Sequence, residues 1–179
     1  MATRGFLGFV IDRTAKIAYA HDDTYPAGVG LLVLTWLRIA APPLDVLRKQ
    51  AAAVRVVSPT SRPTPGDVAR LAQYTDPCSS QMRHWWELLW QTQGDPEKIL
   101  QAGVIEDASD FPADPHCEWG YVIDLDNKVL EVYRGGKSRP HQRGRFASDA
   151  SAGAPWLVMG WTLEDLPTDR EFLETLASA

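Results

Sequence analysis

Residues 19–30, Tyr-Ala-His-Asp-Asp-Thr-Tyr-Pro-Ala-Gly-Val-Gly, place a histidine, two aspartates and two tyrosines ahead of an apolar run. If the strand before them continues past Ala20, Tyr19, His21 and Asp23 leave one face of it and Asp22 the other. His21 could then move a proton, because imidazole changes charge near neutral pH, with Asp23 orienting the ring. A helix starting near Pro26 would present unpaired N–H groups and positive partial charge, and Gly28 and Gly30 would let an anion or a backbone approach closely. His21 and Asp23 are therefore the candidate catalytic pair. Arg4, Tyr19, Tyr25, Gly28 and Gly30 are the candidate ligand contacts, and a small anionic molecule, bound or hydrolysed, is the expected ligand. The same residues have a plainer reading: Asp22, Asp23 or Thr24 caps the helix, and the glycines allow tight packing. No Gly-Lys-Ser/Thr follows, so this is not a phosphate loop of the Walker type, and the third glycine of a dinucleotide fingerprint is missing.

Three other clusters carry chemistry. Asp114, His116, Cys117 and Glu118 are metal-capable, but their spacing matches no zinc signature, and neither a metal nor another cofactor is expected. Residues 134–146 hold five Lys or Arg among glycines. They suit a phosphorylated ligand, or ion pairs with the acidic residues 106–114. His84, Trp85, Trp86 and Trp90 give one segment an aromatic band too wide for a single helical seam, which reads as core plus part of a groove. No pattern names a reaction, so enzyme and non-enzyme both stand. The alternative to a small-molecule site is a protein-interaction module that uses the Trp-rich helix and the basic loop against a partner chain or a second copy.

These residues must be positioned by 179 residues that are 45% hydrophobic and carry a formal charge of −5. That length suits one domain over residues 1–179, burying roughly 70% of its unfolded surface. The acidic balance argues against general nucleic-acid binding. No apolar run is long enough to span a bilayer and no signal-peptide pattern opens the chain, so a cytoplasmic protein is expected, with Cys78 and Cys117 as free thiols. Residues 5–12 and 16–20 read as a hairpin, and helices are expected from Pro26 to Ala40, at 44–55, 66–74, 80–93 and 96–102. Residues 104–115 read as acidic and irregular. Alternation over 118–134 predicts a second hairpin, followed by a strand at 156–163 and a last helix after Thr168. The expected fold is α+β: a mainly antiparallel sheet from the N-terminal hairpin and the C-terminal strands, with a helical segment inserted between them.

The motifs Thr3-Arg4-Gly5-x-x-Gly8-Phe9, Tyr19-x-His21-x-Asp23-x-Tyr25-Pro26-x-Gly28-x-Gly30 and Glu118-Trp119-x-Tyr121-Val122-Ile123-Asp124-Leu125 resemble an uncharacterised family of small proteins associated with actinobacteria and their phages. That resemblance covers most of the chain and implies no function; a role in phage or host defence is the setting expected for the protein-interaction alternative. A weaker resemblance, in layout only, is to N-terminal nucleophile hydrolases, which also open on a strand and an early hairpin. Their exposed first residue is the nucleophile. Here that position is Ala2, which has none.

Overall fold

The computed structural model describes residues 3–79, 82–136, 141–147 and 154–178. The chain starts with two strands, β1 (Gly5–Ile11) and β2 (Thr14–Ala20), joined by Asp12 and Arg13, both at positive φ. Two left-handed residues give a turn whose twist matches that of the strands. Arg48 steadies it by bridging Asp12 and Asp126, while Asp126 also accepts from the N–H groups of Asp12 and Arg13.

A wide turn (Pro26–Gly30) leads into α1 (Leu31–Ile39), and α2 (Leu44–Ala53) follows Pro43. The C-terminal carbonyls of α2 are capped by Lys16, whose Nζ donates to Ala51, Ala52 and Val54. After β3 (Arg55–Val57) come α3 (Pro65–Leu71), α4 (Trp85–Leu88), α5 (Pro96–Ala102) and β4 (Val104–Glu106). The chain then forms β5 (Trp119–Asp124), β6 (Val129–Arg134), β7 (Trp156–Thr162) and α6 (Asp169–Ala177).

The fold is α+β, as its element order implies. The main sheet has the order β2-β1-β5-β6-β7, with β1 and β5 parallel and the other neighbours antiparallel. The first hairpin does join the C-terminal strands across the helical insertion, which is why β1 and β5 can run parallel. β1 is buried on both faces, so it reads as an unbroken apolar run. Leu7, Phe9, Tyr121 and Ile123 pack against α1, α2 and α6, whereas Phe6, Val10, Val122 and Tyr133 face Phe111 and Phe146.

Two expectations need correction. Arg55 to Val57 and Val104 to Glu106 are strands, paired in parallel as a second small sheet, rather than a helix end and an irregular acidic stretch. The Trp-rich helix is a single turn, not residues 80–93. Glu87 accepts from the backbone N–H groups of Arg83 and His84 and so fixes the start at Trp85, and a tight turn over Trp90–Thr92 followed by Gly94 at φ 76° ends the segment. Around this small sheet, Val57, Leu71, Trp85, Leu88 and Val104 form a separate buried cluster beside the edge of β2.

Candidate functional site

The structure gives residues 19–30 two different jobs. β2 ends at Ala20 and Asp23 sits at φ 51°, so the strand alternation stops before it would align Asp23 with Tyr19 and His21. Asp23 serves the fold through its carbonyl, which accepts from Val29 N–H at 2.8 Å. Thr24 is fully buried and ties the turn to the first strand, its N–H and Oγ1 both donating to the Thr3 carbonyl. Tyr121 Oη in turn donates to the Thr24 carbonyl at 2.8 Å. A Cβ at Gly28 would collide with the Asp23 carbonyl, and one at Gly30 would come within 2.7 Å of Tyr121 Oη. Both glycines are thus needed for close packing. The anion cradle expected at this helix start is not formed: the N–H groups of Gly28 and Gly30 point to the Tyr25 carbonyl and that of Val29 to Asp23. Tyr25 is exposed beside this turn.

His21 turns away from Asp23 and toward the small sheet. Its ring stacks on Trp90 with centroids 3.9 Å apart and 30° between planes. Gln93 Oε1 accepts from the His21 backbone N–H at 3.1 Å and lies 2.7 Å from Nδ1. Because the backbone N–H requires an acceptor there, Gln93 presents its oxygen, and the neutral ring carries its proton on Nδ1. Gln93, not Asp23, orients this histidine.

Gln93 also lines a cleft of about 130 Å³ at the seam between the edge of β2 and β4. Tyr19 enters from β2 and Trp86 and Leu89 from the segment of α4, while Ile105, Glu106 and Asp107 come from β4 and the residue after it. The seam is crossed by the backbone bond from Ala108 N–H to the Ile17 carbonyl, while Asp107 N–H extends the pairing of β4 with β3 by donating to the Val57 carbonyl. Tyr19 is kept upright by an edge-on contact with Phe111, centroids 4.7 Å apart. Burial raises the affinity of its hydroxyl for its proton, and the nearby Arg4 charge opposes that. Arg4 reaches the cleft only through this field.

Glu106 is the unusual member. Among the described residues its Oε2 is the one enclosed side-chain oxygen or nitrogen that lacks a hydrogen-bond partner. Burial pushes its carboxyl above the usual carboxylate range, and the His84 side chain and Trp86 backbone N–H only partly offset this. Asp107 beside it is tied down, accepting from Ser109 N–H and Oγ. The cleft therefore combines aromatic walls, an under-bonded carboxylate and a second fixed negative charge. Sequence reasoning missed Glu106, Asp107 and Gln93. The available signal was Ile105 preceding two acids, too short to read as a strand ending in a site.

No family model, curated protein or solved structure matches this chain. The geometry of the cleft and of the other clusters therefore carries the functional argument. Cys117 is buried, and its thiol is pushed up to about 12 by burial and by the neighbouring Asp114 and Glu118 charges. Among the described residues no group of three or more His, Cys, Asp or Glu is placed to hold a metal ion, and neither cysteine is bridged. The described arginines of the basic segment are engaged: Arg134 lies over Trp119, Arg143 over Trp156, and Arg145 pairs with Asp124 and Glu131 rather than with residues 106–114. Residues 137–140 of that segment lie outside the described residues. Trp85 is buried and donates to Ser61 Oγ, Trp90 is half-buried beneath His21, and Trp86 is left 44% exposed at the cleft. No helix among the described residues is long and apolar enough to cross a membrane.

Proposed function

We propose that this protein binds a small organic molecule in the cleft between β2 and β4, with Glu106 as the polar anchor and Trp86 and Tyr19 as walls. The observation that supports this reading above all is the enclosed, unpartnered Oε2 of Glu106. A buried acceptor without a donor costs about 1–3 kcal/mol, so a group kept in that condition has a use other than stability. In this reading a ligand N–H or O–H in the cleft bonds the Glu106 carboxylate. An engineered apolar cavity on the order of 150 Å³ accepts benzene, so about 130 Å³ suits one ring or a short alkyl chain.

Of the residues expected from the sequence to meet a ligand, Tyr19 lines this cleft and His21 acts on it at one remove, by holding Gln93. Two carboxylates on its wall favour a neutral or cationic ligand over the anion expected from the sequence. Ligand-observed NMR with a panel of single-ring and short-chain compounds tests the reading. Hits that compete with one another and weaken by about tenfold in Trp86→Ala support it. Hits indifferent to Trp86→Ala and to Tyr19→Ala place the site elsewhere.

A further inference from the structure

Resting on the reading of this cleft as a ligand site, we infer that its ligand is an organic cation, a protonated amine on an aryl or short alkyl body, seated with its ammonium on Glu106 and its body between Trp86 and Tyr19. Three independent features of the wall converge on that class. The first is the hydrogen-bond deficit. Glu106 Oε2 needs a donor, and Asp107, already bonded to Ser109, adds negative charge without needing one. An ammonium offers three donors and a full positive charge, whereas an alcohol or amide meets only the first need.

The second is the aromatic surface. Trp86 and Tyr19 both line the same space, and a cation set against an aromatic face is attracted by the ring quadrupole. The apolar side chains of Leu89 and Ile105 leave room for the carbon body. The third is the charge of the surroundings. Among the described residues no Lys or Arg lines the cleft. Tyr19, Asp107 and Ala108 also line an adjoining depression of about 440 Å³ whose rim carries Asp110 and Asp114. A cation approaching from solvent passes Asp110 and Asp114 on its way to Glu106 and Asp107, with Arg4 beside Tyr19 and His84 beside Glu106 as the opposing groups. Burial of Glu106 fits this role, since a cation beside its carboxylate offsets what burial costs the ionised form.

Isothermal titration at about pH 8 with matched probes tests the inference. Benzylammonium and butylammonium are compared with benzyl alcohol and butanol, and with benzoate and butyrate, on the full-length chain. The expected result is that the ammonium ions bind about tenfold tighter than the alcohols and the carboxylates bind weakest. In Glu106→Gln, checked for folding by circular dichroism, the ammonium preference should fall to within about threefold, while Trp86→Ala should weaken ammonium and alcohol alike. An alcohol or carboxylate that equals or exceeds its ammonium partner, yet still depends on Trp86, overturns the cationic ligand and leaves the cleft as the site. No binding by any probe up to about 10 mM, or binding indifferent to both substitutions, overturns the site itself.

Discussion

Asp124 is a buried carboxylate and Glu106 a half-buried one, and the fold treats them in opposite ways. Asp124, 1% exposed at the end of β5, accepts from the backbone N–H groups of Asp126 and Asn127, from Asn127 Nδ2 and from Arg145 Nη2. Arg145 is held in turn by Glu131, whose Oε2 also accepts from Tyr133 Oη. Burial pushes the Asp124 carboxyl up, but the Asn127 and Arg145 bonds outweigh it, and the group ends below the usual range. For Glu106 burial is not outweighed, and one oxygen is left without a donor. Every bond of Asp124 is internal, so its role ends with the fold: it pins the loop at Arg145 to the β5–β6 turn. Glu106 itself lines a cleft. A buried charge with all its partners speaks for structure, and a half-buried carboxylate short of a partner at a cleft speaks for a ligand.

The largest effect that could break this contrast is on stability. Asp124→Ala leaves four donors without their acceptor and removes one partner of a largely buried arginine, so unfolding in urea should show a loss of about 3 kcal/mol. A loss below about 0.5 kcal/mol would mean that the network does not anchor the fold. Glu106→Gln should go the other way, because it removes a half-buried charge that His84 and the Trp86 N–H only partly offset, while keeping the shape. In the absence of ligand at about pH 8 it should raise stability by about 1 kcal/mol. A clear destabilisation would show that Glu106 is a structural acid like Asp124.

The finest test is the sign of the pH dependence. The Asp124 contribution is present above its unfolded value and lost as pH falls through its lowered folded value, so the advantage of wild type over Asp124→Asn should shrink on acidification below about pH 4. The Glu106 contribution is present below its unfolded value and lost as pH rises through the raised folded value. Wild type should therefore fall progressively behind Glu106→Gln between about pH 4 and the folded value of Glu106. Unfolding curves across that range give both slopes, and slopes of the same sign would erase the distinction.

The structural half of this comparison could be read in part from the chain. The alternation of Tyr121, Ile123 and Leu125 with Val122 and Asp124 marks β5, and Asp126-Asn127 marks its turn, because those signals lie between near neighbours. Gly28 and Gly30 were visible as a special pair, but whether they spared room for a ligand or for Asp23 and Tyr121 depended on how the turn closes on itself and on Tyr121 from β5. Likewise the histidine at position 21 was conspicuous, while its partner Gln93 lies 72 residues away and has no local signature.

From the residues alone come the periodic elements, the two hairpins, the helix caps such as Asp95 and Thr168, and the α+β order, since each depends on patterns within a turn or a strand length. The parallel pairing of β1 with β5 and of β3 with β4 belongs to tertiary structure, where the gain comes from burying surfaces far apart in sequence. So does the cleft. Tyr19, Trp86, Gln93 and Glu106 become one site only because the edge of β2 closes against β4, and the chemistry of Glu106 depends on which donors that closure failed to bring.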